Sequence, residues 1–316
     1  MFYKRIKDGR GREAFLVSGL GKYSLKDTLE CGQCFRYEET GSSGDCTEYM
    51  TVVGDKVILV GQSVPGELIF PEISEEELIS VAVPYFSLDT DCEEIKNDVL
   101  KNTDSEWLRR AAEAGEGIAI LRQDAWETLF SFIISQNNNI PRIRKIIKKL
   151  SAVYGENLCE KNGIKKCPLS LTDKTPCDEI CKGCGACYSF PTPEAVLSEP
   201  ERMLSANPGF RYKYLLDAAE KVARGEVNLN MIAAARSYEH TKTELMKIKG
   251  VGEKVAACTA LFGFANYEAF PVDVWMRRAI DEYFGGNLDP ETLGRYAGVA
   301  QQYIFHYIRN IKGADK

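Results

Sequence analysis

The chain has 316 residues, 44% hydrophobic and 27% charged, which suits a globular protein with room for two domains. Its net charge of −6 and pI near 5.3 argue against a uniformly basic nucleic-acid surface, but leave room for a local basic face. No run of about 20 apolar residues is long enough to cross a bilayer, and the N-terminus lacks an apolar signal core; the expected location is the cytoplasm.

Residues 1–87 read as a β-rich domain. FLVSG, FRYEE, EYMTVV and KVILVG are short β-branched or aromatic runs separated by turn-forming segments such as TGSSGD. Residues 88–316 read as helical. DTDCEEIKNDVLK opens with acidic N-cap candidates, AWETLFSFIIS has the apolar character of a buried helix, and SQNNNIP marks a break. IRKIIKKLSAVYG resumes as a basic amphipathic helix, and further helices are predicted at TPEAVLSE, KYLLDAAEKVARG, YEHTKTELMKI, EKVAACTALFGF, VDVWMRRAIDEYF and LGRYAGVAQQYIFHYIRN. Between them, residues 157–190 lack either period and read as an inserted loop holding six of the eleven cysteines.

LMKIKGVGEKVAACTALFG has the form helix, G-x-G, helix. Gly250 and Gly252 allow a tight turn, and the free N–H groups of the second helix form a site for phosphate. An ordinary αα-hairpin has the same form, and the motif alone does not separate the two. Lys254 stands in the first turn of the second helix, where the dipole disfavours a cation and favours a neutral, nucleophilic amine. Nineteen residues on, FPVDVWMRRAI places Asp273 at a helix start, where it can cap the helix and also supply a fixed negative charge.

IKGVGEKVAAC followed by FPVDV resembles the helix-hairpin-helix DNA glycosylases. With CGQCFRY, LRQDAWETLFSFIISQNNNIPRI, NPGFRYKYL and GVAQQYIF in the same order, the chain resembles the 8-oxoguanine DNA glycosylase/AP lyase family. The resemblance implies an α+β fold, with an antiparallel N-terminal domain of the TBP-like kind followed by all-α glycosylase domains. It implies Lys254 as nucleophile and Asp273 as its electrostatic partner. Gly32, Cys258, Gln301 and Phe305 would form the pocket for the extruded base, with the Gly32 carbonyl accepting the N7 proton that 8-oxoguanine has and guanine lacks. Asn137 would fill the gap in the duplex, Phe210 would act as the wedge in place of the family tyrosine, and Arg142 and Arg211 would read the orphaned cytosine. Trp275 stands near the lesion's 5′ phosphate where many relatives have histidine.

The expected partner is therefore double-stranded DNA containing 8-oxoguanine, bound by a monomer of prokaryotic, nucleoid-associated type, with no cofactor for catalysis and no membrane. Cys177, Cys181, Cys184 and Cys187 have spacing for a structural zinc or a [4Fe–4S] cluster in the insert. Cys31 and Cys34 form a C-x-x-C without the βαβ context of a redox motif. The alternatives are a same-fold glycosylase for another base, a non-catalytic DNA-binding module, and a metal- or redox-sensing protein.

Overall fold

The structure, a computed structural model, describes residues 1–43, 45–101, 103–162 and 185–313. Six antiparallel strands form one sheet in the order β1-β2-β6-β5-β4-β3. They are β1 (Phe2–Lys7), β2 (Glu13–Ser18), β3 (Tyr37–Ser43), β4 (Cys46–Val53), β5 (Lys56–Gln62) and β6 (Leu68–Pro71). TGSSGD, expected as a turn, instead continues β3 as far as Ser43, past a bulge between Glu39 and Gly41. Alternate residues of the sheet, among them Phe15, Val17, Tyr49, Ile58, Val60, Leu68 and Phe70, bury one face. Against it pack Leu25 and Leu29 of α1 (Leu25–Glu30), together with Phe86 and Leu88.

The sheet core does not end where the helices begin. Ala119 and Leu121 join it, and Gln33, fully buried, clamps this stretch to the segment after α1. Its Nε2 donates to the Thr28 and Ala119 carbonyls at 2.8 Å each, and its Oε1 accepts the Leu121 N–H at 2.8 Å. All three polar hydrogen-bonding partners are backbone groups of buried residues, so the clamp leaves little freedom to the neighbouring Gly32.

The helical part is built on α4 (Ala125–Ser135), preceded by α2 (Cys92–Lys101) and α3 (Glu106–Ala114). Asp124 caps α4 by accepting the Glu127 N–H at 2.8 Å. Trp126, Leu129, Phe130, Phe132, Ile133 and Ile134 are all buried, each large apolar side chain contributing roughly 1.5–3 kcal/mol. After the asparagine turn, α5 (Ile140–Tyr154) carries Pro141 in its first turn, where a missing N–H costs no helical hydrogen bond. Then follow α6 (Pro193–Ser198), α7 (Tyr212–Ala223), α8 (Leu229–Ala235), α9 (Tyr238–Leu245), α10 (Glu253–Phe264), α11 (Val274–Tyr283) and α12 (Ala297–Gly313). α10 lies along α4, with the Phe132 and Phe262 rings stacked at 5.5 Å and Gly263 against Ala125. α11 and α12 share a third core with α2 and α3, through Val99, Leu108, Met276, Ala279, Ile304 and Ile308.

The cysteine-rich insert starts and ends on the sheet. Asn157 and Tyr188 form an antiparallel bridge, and the Leu158 N–H donates to the Cys187 carbonyl at 2.8 Å. Leu158–Lys161 is a helical turn rather than loop, capped by Asn157. Cys159 and Cys187 are buried with Met50 and Leu59 of β4 and β5, the Cys187 sulfur 3.6 Å from that of Met50. Cys177, Cys181 and Cys184 lie outside the described residues, and among the described residues no cluster of metal-ligating side chains is present.

Candidate active site

The hairpin between α9 and α10 uses its two glycines differently. Gly250 has φ +79°, and a Cβ there would stand 2.4 Å from the Tyr214 ring. Gly252 has φ −100°, extended backbone open to any residue, and a Cβ there would meet nothing within 4 Å. Gly252 is the N-cap of α10 and brings no capping side chain, so the first N–H groups of the helix face solvent with the positive dipole end behind them. Behind the turn, Asp217 of α7 accepts the Lys249 N–H at 2.8 Å and pairs with Lys221 at 3.0 Å.

Lys254, half-buried in the first turn of α10, donates from Nζ to Ser135 Oγ at 3.1 Å and lies 5.1 Å from the centroid of the Phe132 ring. Cys258, one turn on, is buried; burial pushes its thiol up to about 11, opposed by the Lys254 amine and reinforced by the Asp273 carboxylate. Asp273 caps α11 by accepting the Met276 N–H at 2.8 Å. Among the described residues Lys254 and Asp273 form no ion pair, so their charges meet at Cys258 and not at each other.

Gly32 has φ +87°, and a Cβ there would lie 3.4 Å from the Phe305 ring, 3.6 Å from Ile140 and 3.9 Å from Arg309. The C-x-x-C and the GVAQQYIF helix, with Gly32 and Phe305 separated by 273 positions (305 − 32), therefore form one wall. Gln301 is buried one turn before Phe305 on α12, and its Oε1 accepts from Gln302 Nε2 at 2.7 Å. Cys31 and Cys34 are both buried and reduced, and burial raises the Cys31 thiol to about 12, the opposite of a redox-active thiolate.

Between these groups runs the asparagine turn, residues 136–139. Asn137 is exposed in the left-handed region at φ +47°. Arg211, expected beside the orphaned base, is buried and turned on this loop: Nε donates to the Gln136 carbonyl at 2.8 Å and Nη2 to the Asn137 carbonyl at 3.0 Å, with Nη1 on Pro208 at 3.2 Å. Burial and the neighbouring Arg142 cation both pull its pKa down. Arg142 itself is exposed in the first turn of α5, its N–H capped by Asn139 at 3.0 Å. The Phe210 ring is 49% exposed, with the Arg211 guanidinium 4.5 Å from its centroid. Trp275 is half-buried on the α11–α12 core, with Arg278 5.5 Å above its indole.

These groups converge on one stretch of chain: Lys254 bonds to Ser135 at the end of α4, Arg211 to residues 136 and 137, and Gly32 approaches Ile140 at the start of α5. Residues 16–129 match the family model for the 8-oxoguanine DNA glycosylase N-terminal domain. MBOgg1, solved with a low-affinity DNA ligand, is 33% identical with a TM-score of 0.80, the match covering 99% of this chain and 100% of that one. This chain belongs to the 8-oxoguanine DNA glycosylase family. Membership makes it a DNA-repair enzyme. The Clostridium acetobutylicum 8-oxoguanine glycosylase/lyase, solved with dsDNA carrying cytosine opposite 8-oxoG, is 31% identical with a TM-score of 0.81, over 99% of each chain. The N-glycosylase/DNA lyase of Saccharomyces cerevisiae is 27% identical over 80% of this chain, which spans 66% of the yeast protein's length.

Several groups of this glycosylase chain escape sequence reasoning. Ser135 and Phe132 hold the Lys254 amine, yet nothing local in FSFIISQ ties them to a residue about 120 positions away. Gln33 reads as a polar filler inside CGQCF and is the buried clamp of that loop. Arg309 carries no motif and stands beside Gly32 and Phe305.

Proposed function

We propose that this enzyme excises 8-oxoguanine from duplex DNA, preferentially opposite cytosine, through a Schiff base on Lys254, and then cleaves the strand by β-elimination. The observation that carries the reading is the Lys254 amine, half-buried between Ser135 and Cys258 at a helix N-terminus with open N–H groups. The C1′–N9 bond is hidden in the base stack, so the nucleotide must first leave the duplex. Exposed Asn137 and Phe210 suit the vacated space, and Arg142 suits the orphaned cytosine. Arg211 spends four of its five N–H donors on loop carbonyls; in this reading it holds Asn137 in place and keeps one donor for the unpaired base. Phosphate would sit on the N-terminus of α10 beside Gly252, with Trp275 near the lesion's 5′ phosphate.

In the reaction, neutral Lys254 attacks C1′ as the C1′–N9 bond breaks and the base leaves with the electron pair. Asp273 stabilises the positive charge that develops on the sugar. Opening of the sugar gives the C1′ imine, loss of a C2′ proton follows, and the 3′ phosphate departs. Gly32, Cys258, Gln301 and Phe305 would hold the base while this happens. A strand-nicking assay on duplexes with 8-oxoguanine opposite each of the four bases tests the reading: nicking is expected to be fastest opposite cytosine, and no nicking of any of the four would contradict it.

The same reading places the enzyme in the cytoplasm as a monomer divided at about residue 87. It also retains a structural zinc or [4Fe–4S] cluster on Cys177, Cys181, Cys184 and Cys187, which rests on spacing alone. The helices of the described residues include none long and apolar enough to cross a membrane.

A further inference from the structure

Arg309 lies one turn beyond Phe305 on α12. The residue is half-buried, its guanidinium 5.4 Å from the Phe305 ring centroid, with Nη1 3.9 Å from where a Cβ of Gly32 would stand. The other arginines withdrawn from solvent near this site are all occupied: Arg36 by Glu127 and the Tyr188 carbonyl, Arg144 by Glu38 and the Tyr37 carbonyl, Arg211 by the asparagine turn. Arg309 alone of these four donates no hydrogen bond and forms no ion pair among the described residues. Asp27, which with Arg309 flanks His306, accepts from Ser24 Oγ at 2.6 Å. A half-buried arginine, set against an aromatic ring and with its five donors unfilled among the described residues, calls for an oxygen acceptor. The acceptor must come from whatever enters between Gly32 and Phe305.

We propose that Arg309 is a specificity-determining residue that donates from Nη1 to a carbonyl oxygen adjoining a protonated N7 on an extruded oxidised purine. The inference rests on the reading above, in which the Gly32 carbonyl accepts the N7 proton. An 8-oxopurine of the guanine type presents C8=O, N7–H and C6=O in a row. A carbonyl and an N–H donor side by side on the protein complement two neighbouring positions of that edge. Guanine offers a bare N7 to the Gly32 carbonyl and has no C8=O, so it loses part of the match. The cation above Phe305 also steadies the ring that would stack on the base.

The rival is a phosphate contact, which would act on any DNA. Single-turnover excision of 8-oxoguanine and affinity for a duplex bearing a tetrahydrofuran abasic analogue, at several salt concentrations, separate the two in Arg309→Met and Arg309→Lys. Arg309→Met is expected to slow excision by about 10- to 100-fold, the effect of losing one charge-assisted hydrogen bond. Its affinity for the abasic duplex and the salt slope should stay as in the wild type, which also reports that the variant is folded. Arg309→Lys should recover part of the rate. Unchanged excision overturns the proposal. So does a rate loss matched by weaker abasic binding and a salt slope smaller by about one, the signature of a lost phosphate contact. If the wild type itself excises no 8-oxoguanine, the functional reading fails first and independently of Arg309.

Discussion

A Cβ on residue 250 would press into the Tyr214 ring at 2.4 Å, from a backbone at φ +79° that only glycine adopts without strain. Both effects act on Gly250→Ala, and the sum expected is roughly 2–4 kcal/mol of lost stability. At Gly252 the backbone is extended and the space empty, so Gly252→Ala should cost less than about 1 kcal/mol, the scale of a poorer N-cap. Urea unfolding midpoints of the two variants check this; equal losses would contradict it. The same contrast fits the proposed function, in which Gly252 keeps side chains away from the N–H groups that a phosphate would use. Lys254 is placed by partners of another kind. Ser135 Oγ and the Phe132 face hold its amine at the asparagine turn, while Asp273 is committed to the Met276 N–H and cannot swing freely.

At the scale of elements, the sequence was most legible where period and caps agree. AWETLFSFIIS is helical from Ala125 to Ser135, and EKVAACTALFGF from Glu253 to Phe264. β1 and β6 were missed: FYKRIK is charged and almost wholly exposed, and LIFP is only four residues long, too short for alternation to register. α1, α3 and α8 were missed as well, short helices whose capping residues Ser24, Ser105 and Asn228 stand in stretches that otherwise read as loop. Lys254 and Asp273 stand out locally because they fall within one hairpin and the helix after it, whereas Cys258 reads locally as a plain core residue and is singled out only by resemblance. The wall of Gly32 and Phe305 was readable only through resemblance, since contact between chain positions so far apart leaves no local signal. The resemblance gave Arg211 its position, while its hydrogen bonds to the Asn137 loop are visible only in the fold.

Over the whole molecule, among the described residues, burial holds the thiols of Cys31, Cys34, Cys46, Cys92 and Cys258 protonated, Cys31 raised to about 12 and Cys92 and Cys258 to about 11. In the unfolded chain they ionise near the ordinary 9.0. The folded pKa values are raised, so the stability tied to these groups is present in full below pH about 9 and is lost as pH climbs towards 11–12. Denaturation midpoints measured from pH 7 to 11 should be level to about 9 and then fall; a flat profile to 11 would show that these thiols are not shielded. The candidate site spans three of the four cores of the described residues, because the hairpin belongs to the first, the Gly32 loop joins the second, and Phe305 and the neighbours of Asp273, Val272 and Trp275, rest on the third. The covalent role of Lys254 is central to the proposed function. Borohydride trapping of enzyme on an 8-oxoguanine duplex tests it most directly: the wild type should form a DNA-linked species, and Lys254→Gln should bind the same duplex yet form none. A trapped complex with Lys254→Gln would contradict the account.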